Sequence, residues 1–269
     1  MNSCNLKMVV FNTAADSSGA ISELHRFKDE AELACSGNTS WLYVLGLAEL
    51  PEDKQRRVRS FSWTKKNWLF RMLFDIFWSR RIVREEKADF VVSLQNTTVA
   101  CGKVPQILFV QLCFPFIKHR FPISDFRLWL HQNVIGYLSI RSIKRADLVV
   151  VQNEWMRKAC AEKANVDESK IKVLKQVFVV PDKVKRFEPS MKAFRTFFYP
   201  ATLKSYKNHR MLLEGAGLAK RRSAIDPKIV LTLDETEAEK VHKLKTLSIS
   251  FDLDTEFRGS ISREDVLRL

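Results

Sequence analysis

The chain has 269 residues, 46% of them hydrophobic and 28% charged, a composition too apolar for a disordered protein and ordinary for a folded one. Its 45 Lys and Arg against 31 Asp and Glu leave a net charge of +14, which favours polyanionic partners: nucleic acid, anionic lipid or nucleotide-activated substrates. Five scattered cysteines and five dispersed histidines form neither a disulfide framework nor a zinc-ligand spacing, which excludes the small secreted and zinc-finger classes and suits a reducing cytoplasm.

Short apolar runs alternate with helical patterns along the chain, the signature of an α/β protein. Met8 to Phe11 reads as a buried strand, and a helix follows from about Ile21 to Cys35. Between them Ser17, Ser18 and Gly19 permit close backbone approach to a ligand at the helix N-terminus, although no G-x-G-x-x-G fingerprint is present. Trp41 to Leu45 reads as the second strand. The stretch from Trp63 to Arg84 is aromatic and basic, with Trp63, Phe70, Phe74 and Phe77 at three- or four-residue steps. It is either a buried helix with a charged back or an interfacial helix for an anionic membrane, and residues 117–131 have a similar mixture.

Strands continue at Phe90 to Leu94, Ile107 to Leu112, Leu148 to Val151 and Ile171 to Val173, the last joined by Phe178 to Val180. Open α/β sheets bind ligands at the carboxyl ends of their strands, so Gln95, Asn96 and Gln111 are placed to face a cleft or to satisfy loop backbone. Asn153 is placed to cap the helix after the third of these runs, Leu148 to Val151. Residues 181–194 carry two prolines and four basic residues with little periodicity, which predicts a first domain over 1–183, a linker over 184–195 and a second domain over 196–269. In the second domain a strand is expected at Phe197 to Tyr199, a helix at Asn208 to Lys220 with Asn208 as N-cap, a strand at Ile229 to Leu233 and a helix at Glu235 to Leu247. Ser262 is a second N-cap, for a final helix. Lys207 then sits beside a helix N-terminus, where it suits a nucleotide phosphate or is simply a solvated loop lysine. No leader-type segment and no run of about 18 apolar residues is seen, so no span is expected.

Tyr199-Pro-Ala-Thr-Leu-Lys-Ser-Tyr-Lys-Asn-His209 resembles the opening of the C-terminal domain in retaining GT-B glycosyltransferases of the group 1, family 4 type. The resemblance implies two Rossmann-like doubly wound domains, the second incomplete. It also implies transfer of a sugar, with retention, from a nucleotide-sugar donor to a glycan or lipid-linked acceptor in cell-surface polysaccharide or lipopolysaccharide biosynthesis. It puts Lys207 on the donor diphosphate, and the family's neighbouring Arg falls on Thr202, with Lys204 as a substitute contact. Ser18 and Gly19 fall on a pair of family glycines bordering the donor, and Asn96 and Gln111 on strand ends lining the acceptor side, which makes those two the catalytic candidates. Many relatives have His where Gln111 stands; Gln can donate a hydrogen bond but cannot act as acid or base. No cofactor and no metal are implied, because helix amides and basic side chains stabilise the leaving diphosphate. The family's E-x7-E carboxylate pair lies beyond Leu269, so the expectation is a C-terminally truncated transferase of low activity. The expected partners are the donor, the acceptor and an anionic membrane surface rather than nucleic acid; the expected place is the cytoplasm, peripheral on the inner face of the cytoplasmic membrane. The alternatives are a catalytically incomplete remnant or a basic protein binding nucleic acid or membrane.

Overall fold

A computed structural model describes residues 6–15, 18–35, 38–175, 195–223, 225–234 and 238–266. The chain divides into two compact units, Met1–Val177 and Phe178–Leu269. The strand expected at Phe178 to Val180 and all of the expected linker except Arg195 lie outside the described residues.

The first unit runs β1 (Leu6–Asn12), α1 (Ser18–Ala34), β2 (Thr39–Leu45), β3 (Arg56–Ser60), α2 (Trp68–Leu73), α3 (Ser79–Glu86), β4 (Phe90–Ser93), β5 (Gln106–Val110), α4 (Phe126–Arg145), β6 (Leu148–Val151), α5 (Glu154–Ala164) and β7 (Ile171–Val173). Its seven strands are all parallel, in the order β3-β2-β1-β4-β5-β6-β7. Because successive side chains alternate across a strand, each apolar run feeds two layers. Val10, Tyr43 and Val92 share a register row and pack on Leu24 of α1. Val9, Phe11, Val44 and Val91 face the other way, onto Phe74 and onto Ile82 and Val83 of α3. Leu108, Val110, Val149 and Val151 pack on Ile143 of α4 and on Met156 and Cys160 of α5. Each such side chain contributes about 1.5–3 kcal/mol by burial, which is why the apolar runs sit in the sheet. Asn153 caps α5 as expected, its side chain accepting from the Met156 amide at 2.8 Å.

Three local features differ from the sequence expectation. The edge strand β3 reads Arg-Arg-Val-Arg-Ser and carries no apolar signal. It is held by pairing: Arg56 is bound by both oxygens of Glu32 and by Asp53, while Arg57 and Arg59 meet Glu86. The segment 63–84 is neither one helix nor a buried one. A 3-10 turn at Ser62–Lys65 precedes α2, and a π-helical turn at Phe74–Trp78 joins α2 to α3. The wider turn breaks the three-to-four spacing, so Phe74 is fully buried while Phe70 and Phe77 stay exposed. Finally, β4 and β5 are parallel neighbours, yet their connection, residues 94–105, contains no helix. It is pinned by buried Gln106, whose side chain bonds the Val99 amide and carbonyl at 3.1 and 3.2 Å, and by Ser142 of α4, which accepts from the Thr98 amide at 2.9 Å. A groove of about 640 Å³ remains between this connection, α2 and α4.

The second unit runs β8 (Thr196–Tyr199), α6 (His209–Arg222), β9 (Lys228–Leu231), α7 (Ala238–Ser250), β10 (Asp254–Phe257) and α8 (Arg263–Val266). Its strands are parallel in the order β10-β9-β8, and Leu213, Ile229, Leu231, Val241 and Leu244 form the core. The strand β10 reads Asp-Thr-Glu-Phe and gives no apolar run to read. Asn208 stands at the cap position of α6, but its side chain makes no capping bond. Its backbone is left-handed, φ 53°, which closes the preceding 3-10 turn Ser205–Lys207 and turns the side chain away from the first amides. Ser262 does cap, its hydroxyl accepting from the Asp265 amide at 3.1 Å.

Candidate functional site

In the first unit the winding reverses between β1 and β4, the position where doubly wound sheets open a crevice beyond their carboxyl ends. A polar chain of side chains occupies it. The Gln95 side-chain oxygen accepts from the amide and the hydroxyl of Thr13, at 3.1 and 2.9 Å, and its Nε2 donates to Asp75 at 2.9 Å. Arg71 reaches the Gln95 carbonyl at 3.1 Å and stands 3.8 Å from the Asp75 carboxylate. Burial pushes the Asp75 carboxyl up to about 6, against the pull of Arg71 and Gln95. Lys65 donates to the Ala14 carbonyl at 2.5 Å, so a cation sits over the loop that leaves β1. The loop is drawn close: a Cβ on Gly46, just after β2, would stand 2.6 Å from the Thr13 carbonyl oxygen.

Gln95 is therefore held inside the fold, its oxygen accepting twice and its Nε2 donating to Asp75. Asn96 is placed similarly. Its left-handed backbone, φ 66°, turns the side-chain oxygen onto the amides of Gln111 and Leu112, at 2.6 and 2.8 Å. That fixes the end of β5 and leaves only the Asn96 NH2 for other partners. Gln111 borders a recess of about 200 Å³ together with Glu23, Arg26 and Phe27 of α1. Ser18 opens α1 and Gly19 lies in its first turn, where a Cβ would meet nothing within 4 Å. Gly19 and Glu23 are one turn apart, so the structure puts Gly19 and Gln111 along one flank of α1. The loop after β5 is fixed by buried Gln132 of α4, which donates to the carbonyls of Phe114 and His119 and accepts from the Phe121 amide. Thr13, Lys65, Arg71 and Asp75 were missed by sequence reading. They come from different elements, and only the aromatic–basic character of 63–84 pointed near them.

In the second unit the loop between β8 and α6 carries Thr202, Lys204 and Lys207, all exposed. The Tyr199 hydroxyl donates to the Lys207 carbonyl at 2.7 Å, and buried His209 sets a ring nitrogen 3.2 Å from the Ala201 carbonyl. Burial holds His209 below the usual imidazole range, with Lys207 acting in the same direction, so a neutral ring ties the loop to the helix. The first turn of α6 has no side-chain cap from Asn208. The first-turn amides of α6 and the exposed Lys204 and Lys207 thus follow the carboxyl end of β8, with the Lys207 ammonium 5.6 Å from the centre of the Tyr206 ring; helix N-terminal amides and nearby cations favour an anion. Among the described residues no group of three or more His, Cys, Asp or Glu is disposed to hold a metal ion.

No protein-family model matches the sequence, and no curated protein matches it either. Solved structures do. The lipopolysaccharide outer core galactosyltransferase WaaB aligns over 97% of this chain and 70% of its own, with TM-score 0.64 and 13% identity. Sucrose-phosphate synthase from Thermosynechococcus elongatus aligns over 97% and 72%, with TM-score 0.64 and 10% identity. Anabaena HepE, solved with UDP and glucose, aligns over 98% and 71%, with TM-score 0.56 and 14% identity. At these identities the likeness shows the fold: it is the Rossmann-like α/β fold of the GT-B glycosyltransferases.

Proposed function

We propose that the chain is a glycosyltransferase that moves a sugar, with retention, from a nucleotide-sugar donor to a glycan or lipid-linked acceptor, in the biosynthesis of a cell-surface polysaccharide. The observation that carries this reading is the β8–α6 loop, where Lys204 and Lys207 flank a helix start that its own cap residue leaves open. A leaving nucleoside diphosphate develops charge at its phosphate oxygens, and fixed amides with mobile ammonium groups stabilise that charge without a protein-bound metal. The fold likeness supports the donor class, since HepE was solved with UDP, and WaaB supports the acceptor class. In the first unit, Gly19 gives a ligand close access to α1, and Gln111 can orient an acceptor hydroxyl by hydrogen bonding.

Isothermal titration with UDP and GDP tests the donor site. The reading expects binding of at least one, competed by the matching nucleotide sugar, and absence of binding by either nucleotide would sink it. Where turnover is seen, the anomeric configuration of the product, read by NMR, decides between retention and inversion.

A further inference from the structure

We propose that the groove between α2, α4 and the β4–β5 connection is a docking site for an amphipathic helix of a partner protein, one whose apolar face is flanked by acidic side chains. Parallel strands are joined by crossovers, usually helical. On this face of the sheet the β3–β4 connection lays down α2 and α3, β5–β6 lays down α4, and β6–β7 lays down α5. The β4–β5 connection lays down no helix. The helical layer therefore has a gap between α2 and α4, and the 640 Å³ groove is that gap.

Its walls are apolar ridges at helical spacing. Trp68, Met72 and Ile76 stand at four-residue steps along α2 and the π-helical turn, and Ile135 and Leu138 form the α4 wall. Trp68 is left 39% exposed and Ile76 46%. Side chains three and four residues apart make the ridges and grooves into which another helix packs. An apolar helix face laid into such a groove is a recurrent mode of recognition. From Ile135 to Arg145 the α4 wall is about 15 Å long, room for roughly three turns.

The rim decides which helix fits. Lys103, Arg141 and Arg145 are exposed along it. Arg141 donates to the Tyr137 hydroxyl at 3.3 Å, and Lys103 and Arg145 have no acidic partner among the described residues. The two acids of the lining are held within the fold: Asp75 accepts from Gln95 Nε2 at 2.9 Å, and Asp147 from the Gln106 amide at 2.8 Å. The rim thus presents positive charge, which acidic residues beside an apolar stripe complement. A second copy of this chain, itself at +14, brings the same sign of charge. The groove also runs away from the crevice. Its lining reaches Gln106, the first residue of β5, and Asp147, just before β6, at the amino ends of strands, whereas such sheets bind their substrates at the carboxyl ends. The inference therefore stands whether or not the donor site does.

The test uses the whole chain and a fluorescein-labelled peptide of about 12 residues, held helical by a hydrocarbon staple, with Leu on one face and Glu on both flanks. Its counterpart has Lys for every Glu. Fluorescence anisotropy should show saturable binding of the Glu peptide, weakening as salt rises, and binding of the Lys peptide about tenfold weaker or less. Ile76→Ser/Leu138→Ser should lower affinity about tenfold or more, and Arg141→Glu/Arg145→Glu should reverse the preference to the Lys peptide. Amide exchange on the wild type locates the site without any variant: the Glu peptide should slow residues 68–76 and 135–145. Binding of neither peptide, equal binding of both, protection elsewhere in the chain, or wild-type affinity in both variants would overturn the proposal. So would a dimer, or uptake of oleate, that Ile76→Ser/Leu138→Ser abolishes while the Glu peptide fails to bind.

Discussion

Gln95, at the end of β4, spans the crevice to Thr13, at the end of β1: one side-chain oxygen accepts both the Thr13 amide and its hydroxyl. The same side chain donates to Asp75, so three elements meet on one buried amide. Replacing it with an apolar group of similar volume strands a backbone N–H, a hydroxyl and a carboxylate at once. Gln95→Leu should therefore cost about 2–4 kcal/mol of unfolding free energy, more than an ordinary buried hydrogen bond. Urea denaturation of the variant and the wild type reads this directly, and a loss below about 1 kcal/mol would mean that the network relaxes around the change.

Asp75 should make stability fall as pH rises through the mildly acidic range. Its carboxyl is raised to about 6 in the fold, above the unfolded value of 3.8. Between those values the native state holds a proton that the unfolded state has lost, so unfolding free energy declines from about pH 4 to about pH 6 and the decline stops above. Asp75→Asn keeps an acceptor for Gln95 and removes the titration. The variant should gain on the wild type by on the order of 2 kcal/mol between pH 4 and pH 7. Buried His209 acts in the opposite direction, being held low, so the difference between variant and wild type is the quantity to follow.

Gly46→Ala tests the close approach at the crevice. An added Cβ would press within 2.6 Å of the Thr13 carbonyl, a backbone atom that cannot turn aside. Thermal unfolding should show a loss of about 1–3 kcal/mol, and the β1–α1 loop should exchange its amides faster. Gly19→Ala, where a Cβ meets open space, is the control expected to leave stability nearly unchanged.

Lys207→Ala should weaken nucleoside diphosphate binding several-fold to about tenfold without unfolding the second unit. Its carbonyl, which the Tyr199 hydroxyl bonds, is retained by the substitution. Lys204→Ala should act in the same direction with smaller effect. Calorimetric titration of both variants against the same nucleotide checks the order, and equal affinity for wild type and Lys207→Ala would remove this lysine from the site.

The alternating apolar runs and helical stretches were enough to specify an α/β chain, because a strand buried on both faces must be continuously apolar and these runs are. Asn153 and Ser262 were legible as caps, since capping is a local bond between neighbours in sequence. Where the sequence misled, a side chain from another element or an irregular backbone turn had decided the matter. Arg-rich β3 is a strand because Glu32 and Glu86 come from other elements to meet it and Asp53 from the turn just before it. Asn208 fails to cap because its backbone turns left-handed to close the preceding turn. The aromatic stripe of 63–84 looked uniform at helical spacing, and only the π-helical turn separated buried Phe74 from exposed Phe77. The crevice was legible only as a place, at the carboxyl ends of strands. Its occupants, Thr13, Gln95, Asp75 and Arg71, are joined by hydrogen bonds and charge across as many as 82 positions of chain, a coupling that no local pattern of hydrophobicity or spacing records.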